Sequence, residues 1–179
     1  NYESALRRYS KVLEFNPQNA AAWTGQVRML IELGEYREAK LWADKALEHV
    51  YGYAVGIDLT RRDLQIASRK KERPWEIGKS FDYSAPCSAI QPASRIGHPA
   101  KGKIWLTVNG NETQKGDLTE LIWNVPEIIW QLSQQVKLAA GDIIMTGTPA
   151  GVSQLQPGDK IECGVDGVGT LKVNIGKPE

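Results

Sequence analysis

Residues 52–65, GYAVGIDLTRRDLQ, are predicted to start as a strand and end as a helix, and they decide how the chain is interpreted. YAVGIDL is a short run of apolar and β-branched residues typical of a buried strand. TRRDLQIASRKKER, which begins at Thr60, has the spacing of an amphipathic helix with a solvated basic end. With PWEIGKSF at residues 74–81, the segment gathers carboxylates, arginines and a lysine in a strand-and-loop setting typical of a catalytic site.

The chain beyond residue 100 is predicted to be mainly β, with one helical interruption. KIWLTV followed by Asn109-Gly110 indicates a hairpin, because this dipeptide supports a type I′ turn. Asp117 is predicted to cap a helical stretch in which Asn124 and Pro126 indicate a break and a new start. Further strands are predicted for DIIMTG (142–147), KIECGV (160–165) and GTLKVNI (169–175).

Residues 1–50 have a different pattern, a helical repeat with a period of about 34 residues. The aligned pairs are Tyr2 with Tyr36, Ala5 with Ala39, Lys11 with Lys45, Leu13 with Leu47 and Glu14 with Glu48. Residues 20–50 resemble a tetratricopeptide repeat, with Trp23 in the first helix, Gly34 at the turn, and Tyr36, Ala39 and Ala46 in the second helix. Such repeats need about three units to bury a continuous core, and the segment offers about one and a half. Two interpretations stay open: a weak peptide-binding groove, or a helical prop packed on the next domain.

The composition excludes several classes of function. Lysine and arginine number 22 and acidic residues 21, a net charge of +1 that gives no electrostatic case for binding nucleic acid or an anionic membrane. Cys87 and Cys163 are far apart in sequence, which favours reduced thiols in a cytoplasmic protein. Neither a signal peptide nor an apolar run of the roughly 20 residues that span a bilayer is visible.

Four blocks of sequence, in this order, resemble the fumarylacetoacetate hydrolase family. They are GYAVGIDLTRRDLQ, PWEIGKSFDYSAPCS, VNGNETQKGDLTELIWNVPEII, and GDIIMTGTPAGV followed by PGDKIE. The resemblance covers residues 51–179 and, within the family, looks most like the bacterial fumarylpyruvate hydrolases. It predicts an α+β chain in which a short tetratricopeptide-like helical segment, residues 1–50, precedes a partial mixed β-roll that lacks its N-terminal part.

The resemblance also implies a chemistry and a set of site residues. The family uses Mg²⁺ or Mn²⁺ to cleave C–C bonds of β-diketo acids, usually as homodimers, and some relatives decarboxylate or isomerise keto acids. A hard divalent cation binds oxygen ligands, can chelate a 1,3-dicarbonyl, and stabilises the enolate that leaves. The implied roles are metal ligand for Asp58, catalytic residue for Lys79, and substrate binding for Arg62, Gln65 and Thr148.

Each of these assignments has a simpler alternative. Asp58 at the end of a strand is also placed to cap the following helix. Arg62 is alternatively a solvated charge on the surface, and Lys79 is alternatively a surface lysine with no catalytic role. His49 and His98 have no metal-ligand partner at a useful spacing, so neither is predicted to bind a metal.

The resemblance places a Glu-x-Glu metal pair and a His–Glu pair upstream of the GYAVG strand. Residues 1–50 contain neither, and Glu35 and Glu38 lie at helical-repeat positions. A single carboxylate with several waters is a poor anchor for Mg²⁺, so we expect weak or no metal binding and reduced or no hydrolase activity. The alternative function is a tetratricopeptide module that binds a peptide, with the hydrolase part as a non-catalytic passenger in a recombined sequence.

Overall fold

The fold is described from a computed structural model over residues 2–17, 19–35, 45–133 and 135–177. The chain divides into two compact units. The helical unit comprises residues 1–51 and 120–146, and the sheet unit comprises residues 52–119 and 147–179. Most of the second helix predicted for the tetratricopeptide-like repeat, including Tyr36 and Ala39, lies outside the described residues, whereas residues 45–47 are helical and Ala46 is buried. The predicted domains, 1–50 and 51–179, stay a prediction.

The helices and strands follow the chain in a mixed order. The helices are α1 (Tyr2–Phe15), α2 (Ala20–Glu32), α3 (Arg62–Lys70), α4 (Glu76–Lys79), α5 (Ala93–Ile96) and α6 (Val125–Ser133), with a 3₁₀ turn at Leu118–Glu120. The strands are β1 (Gly52–Tyr53), β2 (Gln91–Pro92), β3 (Lys103–Val108), β4 (Asn111–Asp117), β5 (Lys160–Val165) and β6 (Gly169–Asn174). Within the described part of the chain, no helix is both long and apolar enough to cross a membrane.

In the helical unit, α2 packs against both α1 and α6. Val27 and Leu30 of α2 are buried, and Leu6 of α1 packs against them. The start of α2 is capped by Asn19, whose side-chain oxygen accepts a hydrogen bond from the backbone N–H of Ala22 at 2.9 Å. This bond satisfies one of the donors that a helix N-terminus leaves unpaired.

The predicted break and new helix start near Asn124 is confirmed. Asn124 Oδ1 accepts a hydrogen bond from the Glu127 N–H at 3.0 Å, and Glu127 Oε2 accepts one from the Asn124 N–H at 2.8 Å. This reciprocal pair is a capping box, and Pro126 lies in the first turn, where its missing N–H is tolerated. The Asp117 cap is also present, because Asp117 Oδ1 accepts from the Thr119 N–H at 2.9 Å.

The sheet unit contains a four-stranded antiparallel sheet in the order β4-β3-β5-β6. Leu106, Cys163 and Leu171 lie opposite one another on successive strands and share the face that packs against the core. The predicted β3–β4 hairpin is confirmed, since Asn109 and Gly110 have φ angles of 52° and 82° and supply the left-handed residues of a type I′ turn.

The strand predicted for YAVGIDL is observed only at Tyr53, which belongs to β1 and pairs with β2. The following backbone bonds to residues 84–88 instead, for example from the Ile57 N–H to the Pro86 carbonyl at 3.0 Å. Val55 and Ile57 are buried in the core of the sheet unit, with Leu59 packed against them. Because side chains alternate along an extended chain, Asp58 points away from this core.

The prediction of a strand at DIIMTG is wrong, since the structure has no strand at residues 142–147. Ile143 and Met145 are 71% and 46% exposed, so these two apolar residues of the predicted strand do not enter a core. Asp142 Oδ2 instead accepts a hydrogen bond from the Ala139 N–H at 2.8 Å, which closes a local turn. A short apolar run does not by itself distinguish a strand from a loop.

Candidate functional site

Asp58, Thr60 and Lys79 form a cluster of polar side chains, called here the Asp58 cluster. The Lys79 Nζ lies 2.5 Å from Asp58 Oδ2 and also donates to Thr60 Oγ1 at 2.9 Å. The side chains of Lys79 and Asp58 are 33% and 46% exposed, so a small molecule can reach both. Asp58 is held by the buried residues beside it, and Lys79 stands at the end of α4.

Gly78 explains how α4 is held in place. This residue is buried against the start of α3, and a Cβ added to it would lie 3.1 Å from the Gln65 backbone nitrogen and 3.2 Å from the Arg61 carbonyl oxygen. The Arg61 N–H also donates to the Gly78 carbonyl at 2.9 Å. The absence of a side chain at Gly78 therefore allows the close contact that fixes the helix carrying Lys79.

Arg62 and Gln65 form a second pair on the first turns of α3. The Arg62 Nη1 donates to Gln65 Oε1 at 2.6 Å, and Gln65 is only 7% exposed whereas Arg62 is exposed. The neighbouring Arg61 guanidinium lies 4.5 Å from the centre of the Phe81 ring, a cation–π contact. The buried Gln65 carboxamide therefore orients Arg62, which leaves further guanidinium N–H groups for an anion.

Thr148 belongs to a third group, in the loop TGTPAG. Its Oγ1 accepts a hydrogen bond from Gln114 Nε2 of β4 at 2.9 Å, and the same nitrogen donates to the Pro149 carbonyl at 2.9 Å. The structure thus brings Asp58 to Lys79 and Arg62 to Gln65. Among the described residues, no hydrogen bond or ion pair links Thr148 to either pair.

Two residues of these groups were assigned no role from the sequence, Thr60 and Gln114. Thr60 could have been found, because residues two apart in an extended segment share a face and Asp58 stands two positions earlier. The contact of Gln114 with Thr148 joins positions 34 residues apart, and no local pattern indicates it.

The described residues do not complete a site for a divalent cation. In the part of the chain that the structure describes, no group of three or more His, Cys, Asp or Glu side chains is arranged to hold a metal ion. Asp58 is one carboxylate, and one of its oxygens is engaged by the Lys79 ammonium. Hard cations of this type take six or more oxygen ligands, so Asp58 alone is an incomplete donor set.

Two titratable side chains outside these groups have raised pKa values. Burial in the core raises the pKa of the Cys163 thiol to about 11, with a smaller contribution from the charge of Glu162. Burial likewise raises the pKa of Tyr53 to about 12, and its hydroxyl lies 2.7 Å from His98 Nδ1. Cys87 is an exposed free thiol.

The sequence of residues 23–176 matches the family model described as fumarylacetoacetate (FAA) hydrolase, C-terminal. The chain belongs to this family. The matched range covers the Asp58 cluster, the Arg62–Gln65 pair and the Thr148 loop. It begins at Trp23, inside the segment predicted as a helical repeat.

Three individual relatives illustrate the similarity. A fumarylpyruvate hydrolase from Ralstonia sp is 45% identical over 136 residues, with 76% of this chain and 70% of the relative aligned. The mitochondrial oxaloacetate tautomerase of Homo sapiens is 38% identical over 169 residues, with 93% of this chain and 76% of the relative aligned. A crystal structure of fumarylpyruvate hydrolase from Pseudomonas aeruginosa, in complex with Mn²⁺ and pyruvate, has a TM-score of 0.74 and 46% identity, over 76% of this chain and 58% of that one. The chain therefore spans less than two thirds of that relative.

These similarities confirm a mixed helix-and-sheet fold of the fumarylacetoacetate hydrolase type and the predicted resemblance to fumarylpyruvate hydrolases. They do not show the fusion to tetratricopeptide helices, which stays a prediction. The individual roles predicted for Asp58, Lys79, Arg62, Gln65 and Thr148 stay predictions as well.

Proposed function

We propose that this chain is part of a divalent-metal-dependent enzyme that hydrolyses a carbon–carbon bond of an acylpyruvate. Its family membership supports the proposal, as does its similarity to a fumarylpyruvate hydrolase and to a relative whose structure holds Mn²⁺ and pyruvate. The observation that carries it is the contact of Lys79 with Asp58 and Thr60, because this contact gathers a carboxylate and a cation on an accessible surface.

Lys79 supplies positive charge for a substrate anion. An ammonium group has three N–H donors, and the described contacts use two of them, on Asp58 and Thr60. The remaining donor is available to a substrate oxygen on which negative charge develops as the C–C bond breaks. Because Asp58 and Thr60 hold the ammonium in place, this donor is oriented before the substrate binds.

Arg62 and Thr148 suit the anionic ends of a diketo acid. The guanidinium of Arg62 is exposed and oriented by Gln65, and a planar guanidinium can bind a carboxylate with two hydrogen bonds. Thr148 is exposed and presents a hydroxyl that can bind a carboxylate oxygen.

The incomplete donor set leads us to propose that this chain, by itself, binds Mg²⁺ or Mn²⁺ weakly and turns over slowly or not at all. When bound in an enzyme of this type, a divalent cation acts as a Lewis acid toward the dicarbonyl. Asp58 is the one predicted ligand for it here, and its Oδ2 is held by Lys79.

The proposal is tested by following the loss of ultraviolet absorbance of an acylpyruvate with Mg²⁺ and then Mn²⁺. We expect no turnover above the uncatalysed rate, and a weak Mn²⁺ interaction by electron paramagnetic resonance that Asp58→Ala removes. Asp82→Ala, at an exposed carboxylate, is the matched control. Robust turnover that Asp58→Ala abolishes would contradict the impairment. Failure of both Mn²⁺ and sodium pyruvate to shift any resonance of the protein would contradict the enzyme assignment itself.

A second candidate is keto–enol tautomerisation of a keto acid. It is favoured by the similarity to the human oxaloacetate tautomerase, which extends over 93% of this chain. Tautomerisation needs a proton transfer at the carbon beside the carbonyl and no attacking water. To distinguish the two reactions, oxaloacetate is added in its enol form and the decay of the enol absorbance is followed. A tautomerase speeds this decay without forming pyruvate.

Peptide binding by the helical unit is also a proposal, and fewer observations support it. Gly34 has a φ of 80° directly after α2, as the predicted turn between repeat helices requires. Homodimer formation, which the family resemblance implies, is likewise a proposal, and sedimentation of the whole chain tests it.

A further inference from the structure

The loop that carries Thr148 is attached to β4 at two points. Gln114 Nε2 donates to Thr148 Oγ1 and to the Pro149 carbonyl, each at 2.9 Å. Two residues further on, Gly151 has a φ of 104° and lies directly against the carbonyl oxygen of Thr113, so that an added Cβ would overlap that oxygen. Gln114 therefore holds the start of the TPAG turn by hydrogen bonds, and the end of the turn passes close to the backbone of the preceding residue of β4.

The orientation of the Gln114 carboxamide follows from its partners. The two ends of a glutamine amide are distinguished by the hydrogen bonds they make. The Pro149 carbonyl can only accept a hydrogen bond, so the amide nitrogen must face it. The same nitrogen then presents its second N–H to Thr148 Oγ1, and the Thr148 hydroxyl is the acceptor of that bond.

This arrangement has a consequence for the Thr148 hydroxyl. A threonine hydroxyl has one hydrogen to donate, and its oxygen is already engaged as an acceptor by Gln114. The described acceptor for that hydrogen is the Pro149 carbonyl at 3.5 Å, a distance at which a hydrogen bond is weak. The hydrogen is therefore available to a stronger acceptor such as a carboxylate.

We propose that Gln114 is a positioning residue that makes Thr148 a hydrogen-bond donor toward the carboxylate of an α-keto acid. The inference rests on the proposed function, in which Thr148 binds the carboxylate end of the substrate. Gln114 acts through Thr148 and does not itself touch the ligand. Its effect on ligand affinity must then depend on the Thr148 hydroxyl.

A double-mutant cycle tests this dependence. The probe is sodium pyruvate, titrated into the ¹⁵N-labelled whole chain and followed by NMR. Gln114→Met keeps the length of the side chain and removes both N–H donors, and we expect it to weaken pyruvate binding about 3- to 10-fold. Thr148→Val should weaken binding by at least as much. Adding Gln114→Met to Thr148→Val should then produce no further loss.

Two further variants separate positioning from general stabilisation. Gln114→Glu offers Thr148 an acceptor in place of a donor, so the hydroxyl hydrogen turns toward the new carboxylate, and we expect a larger loss than for Gln114→Met. Thr148→Ser keeps the hydroxyl and should retain most of the affinity. Gln154→Met, at an exposed glutamine outside these contacts, is the matched control and should bind as the parent does.

The outcomes distinguish this inference from the proposed function. If the parent chain binds pyruvate and Gln114→Met binds it equally well, the positioning role is wrong while the function stands. An equal loss from Gln114→Met with and without the Thr148 hydroxyl also overturns it. If the parent chain gives no response to pyruvate, the proposed function fails and this inference fails with it. Dispersed amide spectra of every variant exclude unfolding as the cause of a lost response.

Discussion

The helical unit and the sheet unit bury their apolar residues in different ways. In the helical unit, Val27 and Leu30 lie on a helix that packs against α1 and against α6, a helix from a distant part of the sequence. In the sheet unit, the alternate residues Val55, Ile57 and Leu59 contribute to the core, and Asp58, between Ile57 and Leu59, is exposed. An extended segment on a core therefore presents polar side chains at fixed positions, whereas the helical unit depends on the packing of helices that are remote in sequence.

The strongest effect is expected when the helical unit is deprived of α6. A fragment of residues 1–50 lacks α6, and with it Trp130, over whose ring Arg28 lies at 5.1 Å. Short isolated helices are marginal in water, so we expect the fragment to lose most of its helical circular dichroism. A fragment that retains full helicity and melts cooperatively would show that the segment folds by itself, which the tetratricopeptide hypothesis requires.

The next prediction concerns the stability of the sheet unit when a glycine is replaced. Gly151→Ala combines a left-handed backbone with overlap of the new Cβ and the Thr113 carbonyl oxygen, so we expect a loss of about 3 kcal/mol in the free energy of unfolding. Gly158→Ala is the matched control, because φ is 96° there and nothing lies near its Cβ position. It should cost about 1 kcal/mol, measured by urea denaturation. Equal losses would show that the contact with Thr113 contributes nothing.

A smaller effect is expected for the corresponding change in the helical unit. A Cβ at Gly25 would lie 2.6 Å from the Tyr9 ring and 2.9 Å from Trp130 Nε1, both on side chains that can shift. Alanine is also favoured over glycine inside a helix by about 1 kcal/mol. We therefore expect Gly25→Ala to change the free energy of unfolding by about 1 kcal/mol or less. A loss greater than that of Gly151→Ala would reverse the comparison between the two units.

The smallest effect is on acid stability. Hydrogen bonds from the Thr119 N–H and hydroxyl, and from the Gly102 N–H, lower the pKa of Asp117 below its usual 3.8. A carboxylate with a depressed folded pKa stabilises the protein above its unfolded pKa, and this contribution is lost as the pH falls through the folded value. Asp117→Asn should therefore reduce the drop in melting temperature between about pH 5 and about pH 3. Asp82→Asn, at an exposed carboxylate, is the control. An unchanged drop in the Asp117 variant would contradict this role.

Much of the fold could be predicted where a few neighbouring residues decide it. The Asn109-Gly110 turn and the new helix start near Asn124 act over short distances, and the structure confirms them. Burial of the apolar residues Val55 and Ile57 in YAVGIDL is also observed, although the predicted strand is not continuous there. The strand predicted at DIIMTG fails because its apolar residues have no core to enter. Whether an apolar run is buried depends on what packs against it, and the run itself does not carry that information.

The candidate site divides in the same way. The residues alone indicated the family, and Thr60 could also have been found from them, because alternation along an extended chain is a local property that puts Asp58 and Thr60 on one face. The contacts of Lys79 with Asp58 and of Gln114 with Thr148 exist only in the folded chain. These contacts join residues far apart in sequence, and they form only when α4 and the TGTPAG loop are packed against other elements. The physical reason is that periodicity and turn chemistry act within a few residues, whereas contacts between distant residues depend on the packing of the whole unit.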